Sequence, residues 1–230
     1  MRFGCVLADA GYGLSASFRQ ALSACGLCWA VGIPKHQKVY PPDVQLVFPV
    51  AVRGRPRLRH APDIKSAAAH TMLENAKWRR VSWRRGTKGR LVARFAAMRV
   101  RIADGAPQRI GAAGAQHMPG EEVWLVGEHR SNGERKYYLS NLPGDTAIKD
   151  VAGAIKARWI CEQAHQQLKE ELGLDHFEGR SWTGLHRHAL MTMMAYAFLQ
   201  FRRLAQAGRK KKSLWTAPST QFASCPTSHP

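Results

Sequence analysis

Ile155-Lys-Ala-Arg-Trp-Ile-Cys-Glu-Gln-Ala-His-Gln-Gln-Leu-Lys169 is the stretch whose reading decides the fold. At helical period Arg158, Glu162, His165 and Lys169 fall three or four residues apart and share one stripe. Ile160, Leu168 and Leu172, helped by Ala157 and Ala164, lie on the other side and give the helix a face to bury. One carboxylate between two cations, with an imidazole among them, suits a phosphate chain with a metal ion beside it. The acid would hold the ion while Arg and Lys take phosphate oxygens. The same pattern also describes a solvated face, because i,i+4 pairs such as Arg158 and Glu162 decorate many exposed helices at about 0.2–0.5 kcal/mol each. Spacing alone leaves both readings open.

The long helix is expected over residues 146–172, with Gly173 as its stop and a loop over residues 175–182. A second helix follows over residues 185–205, with Leu190, Met193, Met194, Ala197 and Phe201 at core spacing. His186 and His188 lie two apart and so do not share a helical face. From Gly208 onward, Arg209-Lys-Lys-Lys212 and a Ser/Thr/Pro-rich end read as a disordered tail.

Upstream of the long helix the pattern is β. Residues 80–83 lead into the turn Arg84-Arg-Gly-Thr-Lys-Gly89, and residues 94–102 alternate, with Met98, Val100 and Ile102 inward and Arg99 and Arg101 outward. Residues 122–128 and 135–142 are two more strands, joined through Ser131-Asn132-Gly133, and Asn-Gly between strands is a strong hairpin signal. Residues 78–142 are therefore expected to form a small antiparallel sheet with arginines on its wet face. Between residues 35 and 76 the pattern fades, and Arg53-Gly-Arg-Pro-Arg-Leu-Arg-His60 reads as a basic loop, a linker or a DNA contact.

At the start, residues 3–8 form an apolar run ending at Asp9, as a buried strand does when it delivers an acid to its C-terminal edge. Gly11 and Gly13 permit a tight turn beside that acid. Residues 14–24 read as a helix with Phe18, Ala21 and Leu22 on one face, and residues 27–33 as a second strand closed by Pro34. Strand, acid, helix, strand is an α/β unit with parallel strands. Because the chain opens with a strand already under way, it reads as the back part of a longer fold.

At 230 residues and 45% hydrophobic, the chain can build one large or two small cores. A net charge of +19, spread through folded-looking segments with Trp and Tyr between, favours nucleic acid over a membrane surface. The longest apolar run, residues 189–201, is too short to cross a bilayer, and the start shows no signal-peptide pattern, so a cytoplasmic protein is expected. Five cysteines, an odd number, argue against a disulfide framework. Cys25-Gly-Leu-Cys28 has no second CxxC, and His36, His60 and His70 are too scattered to complete a zinc set.

The spacing Arg158, three residues, Glu162, six residues, Lys169 resembles the Tyr-Arg-Glu-Lys signature of bacterial insertion-sequence DDE transposases. Where that family has Tyr, this chain has Ile155. The words around the signature, through Glu178-Gly-Arg-Ser-Trp182, are also similar to the family, and Val6-Leu-Ala-Asp-Ala-Gly-Tyr-Gly13 resembles its strand with the second catalytic Asp. The resemblance spans residues 3–33 and 78–205. It implies an α/β ribonuclease-H-like core, incomplete because its first strands and first catalytic Asp are absent. Residues 1–34 would be the back of that core, 35–145 a basic loop and β-rich insertion, 146–207 the Glu-bearing and C-terminal helices, and 208–230 the tail.

The same resemblance implies the chemistry. Asp9 and Glu162 would be catalytic and would ligate Mg²⁺ or Mn²⁺, two ions in the complete site, to cut DNA and join strands. Arg158, Lys169, His165, Trp83, Arg84 and Arg85 would contact DNA, Trp83 by stacking on an unpaired base, against the commoner reading of a tryptophan as a core residue. Asp43, Asp63 and Asp104 end no core-like strand ahead of Asp9, so none replaces the missing acid. The chain is expected to be truncated and inactive alone. Its partners would be transposon-end and target DNA, and a second copy or a full-length transposase; a non-catalytic DNA-binding or transposase-inhibiting remnant is the alternative.

Overall fold

A computed structural model describes residues 4–48, 59–86, 89–109 and 115–210. Residues 53–58 of the basic run, the beginning of the opening strand and the tail beyond Lys210 lie outside the described residues. The chain divides into two compact units, Met1–Arg158 and Trp159–Pro230.

In the first unit, β1 (Val6–Ala8) leads through α1 (Ala10–Gly13) and α2 (Ala16–Ala24) to β2 (Trp29–Ile33), which pairs with β1 in parallel. The expected strand–helix–strand unit is present. The expected tight turn after Asp9 is instead a one-turn helix, with Ser15 capping the longer helix behind it through the Phe18 N–H. Then come β3 (Lys38–Tyr40), β4 (Leu46–Val47), β5 (Ala61–Pro62), β6 (Ala67–Ala68) and α3 (Ala69–Met72). The antiparallel run follows: β7 (Arg79–Gly86), β8 (Gly89–Ile102), β9 (Pro107–Arg109), β10 (Ala115–His117), β11 (Glu122–His129) and β12 (Arg135–Ser140). α4 (Ile148–Ala157) closes the unit.

These strands do not make the separate small sheet that the sequence pattern leads one to expect. One sheet runs β1-β2-β12-β11-β8-β3-β6, with β7 also on β8, and β12 lies antiparallel to β2 from Tyr137↔Ile33 to Ser140↔Ala30. The β11–β12 hairpin is as expected, with Gly133 at φ +83, a conformation open to Gly at no steric cost. Lys38–Tyr40, expected to be loop, is a strand on β8, with Val39 and Tyr40 fully buried.

A sheet this wide needs cover on both faces. β8 shows how the alternation serves two cores. Ala96, Met98, Val100 and Ile102 face one cluster with Phe18 and Leu22 of α2 and Ala69 and Leu73 near α3. Ala93, Phe95 and Ala97 face another with Val151, Ala152 and Ile155 of α4. The unit is therefore a helix–sheet–helix sandwich. Arg99, expected on a wet face, is only partly exposed: it lies over the Trp124 ring at 5.3 Å and donates to Glu122.

The single helix expected over residues 146–172 is broken. Arg158 is a turn residue between α4 and α5 (Trp159–Glu170), although its φ and ψ stay helical at −53° and −31°. In the second unit α5 is followed by α6 (Trp182–Lys210). Ile160, expected on a buried face, is 61% exposed, whereas Leu168 is buried. The expected core stripe of α6 is also exposed at Leu190, Met193, Met194 and Phe201. The face of α6 that is covered carries Thr192, Tyr196 and Gln200, with Gln200 bonded to Gln167 and Arg203 paired to Glu171 of the α5 side. One helix can cover only one side of another. Among the described residues no helix is long and apolar enough to cross a membrane.

Phe95 touches both the Trp83 ring and the α4 cluster, so Phe95→Ala should cost about 3–5 kcal/mol. Urea unfolding followed by circular dichroism measures it.

Candidate functional site

Asp9 stands just after β1 and caps α1: its Oδ1 accepts from the Gly11 and Tyr12 N–H groups at 3.0 and 3.3 Å. Its Oδ2 faces the Arg158 guanidinium at 3.8 Å, at the end of α4. The sequence assigned these two residues to distant motifs, and the fold of the first unit brings them within ion-pair range. Both side chains are about half exposed, so the pair itself adds little stability.

The segment that carries Asp9 is held from below. A Cβ at Gly13 would stand 1.9 Å from the Gly32 carbonyl oxygen, and one at Gly32 would stand 2.9 Å from the Ala10 nitrogen. α1 therefore lies directly on the β2 backbone, a closeness that only paired glycines permit. Arg19, 2% exposed, donates to the Gly13 carbonyl and to Asp104 Oδ2 at 2.8 Å. Among the described residues its Nε has no partner, which costs about 1–3 kcal/mol for a buried donor. Sequence reading missed this clamp, since an arginine inside an amphipathic helix carries no mark of burial.

A second cluster surrounds Glu128, 1% exposed on β11. Lys156 donates to it at 2.7 Å, Arg130 at 3.2 Å and the Tyr138 hydroxyl at 2.8 Å. Burial by itself would raise the Glu128 carboxyl, but the Lys156 and Tyr138 hydrogen bonds and the Lys156 and Arg130 charges outweigh it and hold it below its ordinary value. Trp83 is half-buried against the same place: its ring meets Phe95 edge-on at 5.7 Å, and Lys156 lies over it at 5.1 Å. With Glu128, Arg130 and Asn132 it lines an open cavity of about 280 Å³.

Arg84 and Arg85 sit past a bulge in β7 and are exposed. The ladder shows a feature the sequence hides. Arg80 pairs directly with Arg94, and Arg85 with Arg90. Alternation sets Arg90 and Arg94 on one side of β8, so four exposed arginines share one face of the ribbon. Like charges opposite one another weaken a ladder, and among the described residues no carboxylate pairs with any of the four. Only knowledge of the register could have found this.

Glu162, His165 and Lys169 lie exposed on α5, in the second unit, and share the expected stripe there. Cys5 is pushed up to about 12, first by burial and then by Cys28, and Cys25 is exposed. Among the described residues no group of three His, Cys, Asp or Glu side chains could hold a metal ion. The oxygen donors are of the type Mg²⁺ takes, but their number falls short: each unit offers one motif carboxylate, where a two-ion site takes more.

Residues 1–90 match the family model described as DDE superfamily endonuclease. Over that segment the chain is similar to DDE endonucleases. The match covers β1, Asp9, the glycine contact beneath it, β2 and β7, and it supports a DDE-type transposase or nuclease, with DNA as the substrate that family implies. No curated protein matches the chain.

The depressed Glu128 carboxyl fixes a sign. Its contribution is fully present above the ordinary carboxylate pKa and is lost as pH falls through the lower folded value. Glu128→Gln, which strands Lys156, should destabilise by about 3 kcal/mol near neutral pH, the lower end for a broken buried pair because Lys156 is partly exposed. The deficit should shrink on acidification, measured as unfolding midpoints across a pH series.

Proposed function

We propose that this chain acts on DNA as part of a DDE-type transposase system of the Tyr-Arg-Glu-Lys group, in which metal-dependent endonuclease and strand-transfer chemistry is the family's reaction. The observation that carries the DNA reading is the β7–β8 ribbon, whose Arg80–Arg94 and Arg85–Arg90 pairs oppose like charges, with no carboxylate paired to them among the described residues. A phosphate backbone removes that repulsion and releases counterions in doing so. The family match over residues 1–90 supports the same reading from the Asp9 side.

In this reading Asp9 and Glu162 are the catalytic carboxylates and the protein ligands to Mg²⁺ or Mn²⁺, and the order of the two motifs is what supports their pairing. Arg158, His165 and Lys169 hold phosphate near them, Arg84 and Arg85 extend the basic ribbon, and Trp83 borders it. Two chains would share the DNA, either two copies of this one or one copy with a full-length transposase. The ribonuclease-H-like core is supported by the parallel β1–β2 pair, whose first strand ends at Asp9.

The second reading is a DNA-binding protein without catalysis, one that occupies transposon ends or poisons a full-length partner. The arginine ribbon supports it, because phosphate binding there needs neither Asp9 nor Glu162.

Two measurements separate these. Supercoiled plasmid incubated with the chain and Mg²⁺ or Mn²⁺ should stay intact; nicking that Glu162→Gln abolishes would establish the enzyme and overturn the second reading. DNA affinity should fall steeply between about 50 and 200 mM salt. Arg80→Ala with Arg94→Ala should reduce the slope of log affinity against log salt by about 2, equally for unrelated sequences. Salt-insensitive binding would remove the DNA reading altogether.

A further inference from the structure

We infer that the arginine face of the β7–β8 ribbon runs on across the sheet as a row of Arg80, Arg94, His129 and Arg135, and that a nucleic-acid backbone laid on this row brings a proton to His129. The register sets the four side by side. Arg80 stands opposite Arg94, Arg94 opposite His129, and His129 opposite Arg135, on β7, β8, β11 and β12 in turn. Directly opposed residues share a face of the sheet. At about 4.8 Å between strands the four therefore form one line roughly 14 Å long, enough for more than one phosphate. The three arginines are exposed and His129 is partly exposed.

Trp78 walls the row on its inner side. Gly127 lies two residues before His129 on the same face, and a Cβ there would stand 2.7 Å from the Trp78 ring, so the ring rests on bare backbone. From that seat it meets the His129 ring edge-on at 6.1 Å, and the Arg135 guanidinium lies over it at 5.8 Å. Trp78 itself packs against the core beneath. The imidazole and its neighbouring guanidinium are thus held in place before a partner arrives, which lowers the ordering cost of binding.

Both charges opposite His129 are positive: Arg94 on β8 and Arg135 on β12. The acids near it in sequence are engaged elsewhere, Glu128 by Lys156 and Arg130, and Glu134 by Arg130 and Lys136. The segment before Trp78 carries Glu74 and Lys77. Among the described residues no carboxylate, that of Glu74 included, lies within ion-pair distance of His129. Between about pH 6 and 8 an imidazole can gain a proton from solvent while a phosphodiester keeps its charge. A phosphate on the row favours the charged imidazole, as an opposite charge within about 4–6 Å does. The linkage has one sign. Nucleic acid binds more tightly as pH falls through the imidazole range, and the gain is lost as pH rises through it.

The inference rests on the DNA reading and names how that same face is regulated. Anisotropy of a labelled duplex of random sequence, titrated with the full chain, should show affinity rising about tenfold from about pH 8 to about pH 6. The slope of log affinity against log salt should steepen by about 0.9 over the same change, the mark of one added phosphate contact. His129→Gln should remove both changes, binding at either pH as the unaltered chain does at the higher one. His129→Arg should bind with the steeper slope at both. His117→Gln, which removes an imidazole hydrogen-bonded to the Gly105 carbonyl and outside the row, should keep the full response. The unaltered chain and His129→Arg decide the matter even where His129→Gln fails to fold. Steep salt dependence identical at the two pH values, or a pH response that survives His129→Gln, would overturn the inference and leave the DNA reading standing. Salt-insensitive binding at both would remove that reading and the inference with it.

Discussion

The antiparallel contact between β2 and β12 is what makes the first unit one body. Its ladder joins an α/β unit near the chain start to a β hairpin more than a hundred residues later. Side chains extend it beyond the strands. Asn141 accepts from the Trp29 N–H at 2.6 Å and donates to the Leu27 carbonyl at 3.0 Å, while Ser140 donates to the Trp29 carbonyl at 2.8 Å. Once the two pieces share a sheet, both of its faces must be dry. α2 and the α3 segment cover one face and α4 the other.

The placement of Asp9 and Arg158 follows from that joint. α4 lies over β7 and β1 with Lys156 anchored to Glu128, and its end therefore brings Arg158 to Asp9. Asp9 is set by the one-turn helix resting on β2 through Gly13 and Gly32 and gripped by Arg19. Two buried charged clusters thus support one exposed acid. Such clusters contribute little net stability over apolar packing, yet removing one member is costly, so they fix geometry more than they add free energy.

The arginine ribbon shows the opposite economy. Its cross-strand arginine pairs weaken the ladder of β7 and β8, and the strands are held instead by Val81, Ala93 and Phe95 in the core below. In the proposed function that stored like-charge repulsion, beside a well-packed core, is what a polyanion would relieve. The broken helix belongs to the same pattern of local sequence yielding to context. Residues 146–172 read as one amphipathic run, but α4 has a sheet to cover whereas α5 has α6, and the hydrogen-bond ladder is interrupted at Arg158 where the demands change.

Sequence alone determined the local pieces: the β1–α2–β2 unit, the Asn132-Gly133 hairpin, the alternation along β8, the basic character, and the stripe of Glu162, His165 and Lys169. Each depends on residues close together in the chain, where period and turn chemistry act directly. Tertiary structure decided the rest. The fusion of two expected sheets, the strand at Lys38–Tyr40, the burial of Arg19 and Glu128, the Arg158–Asp9 contact and the facing arginines all depend on register between distant segments. It also left Leu190, Met194 and Phe201 in the open, because an apolar period says that a helix has a face to bury but not whether its own chain supplies the cover.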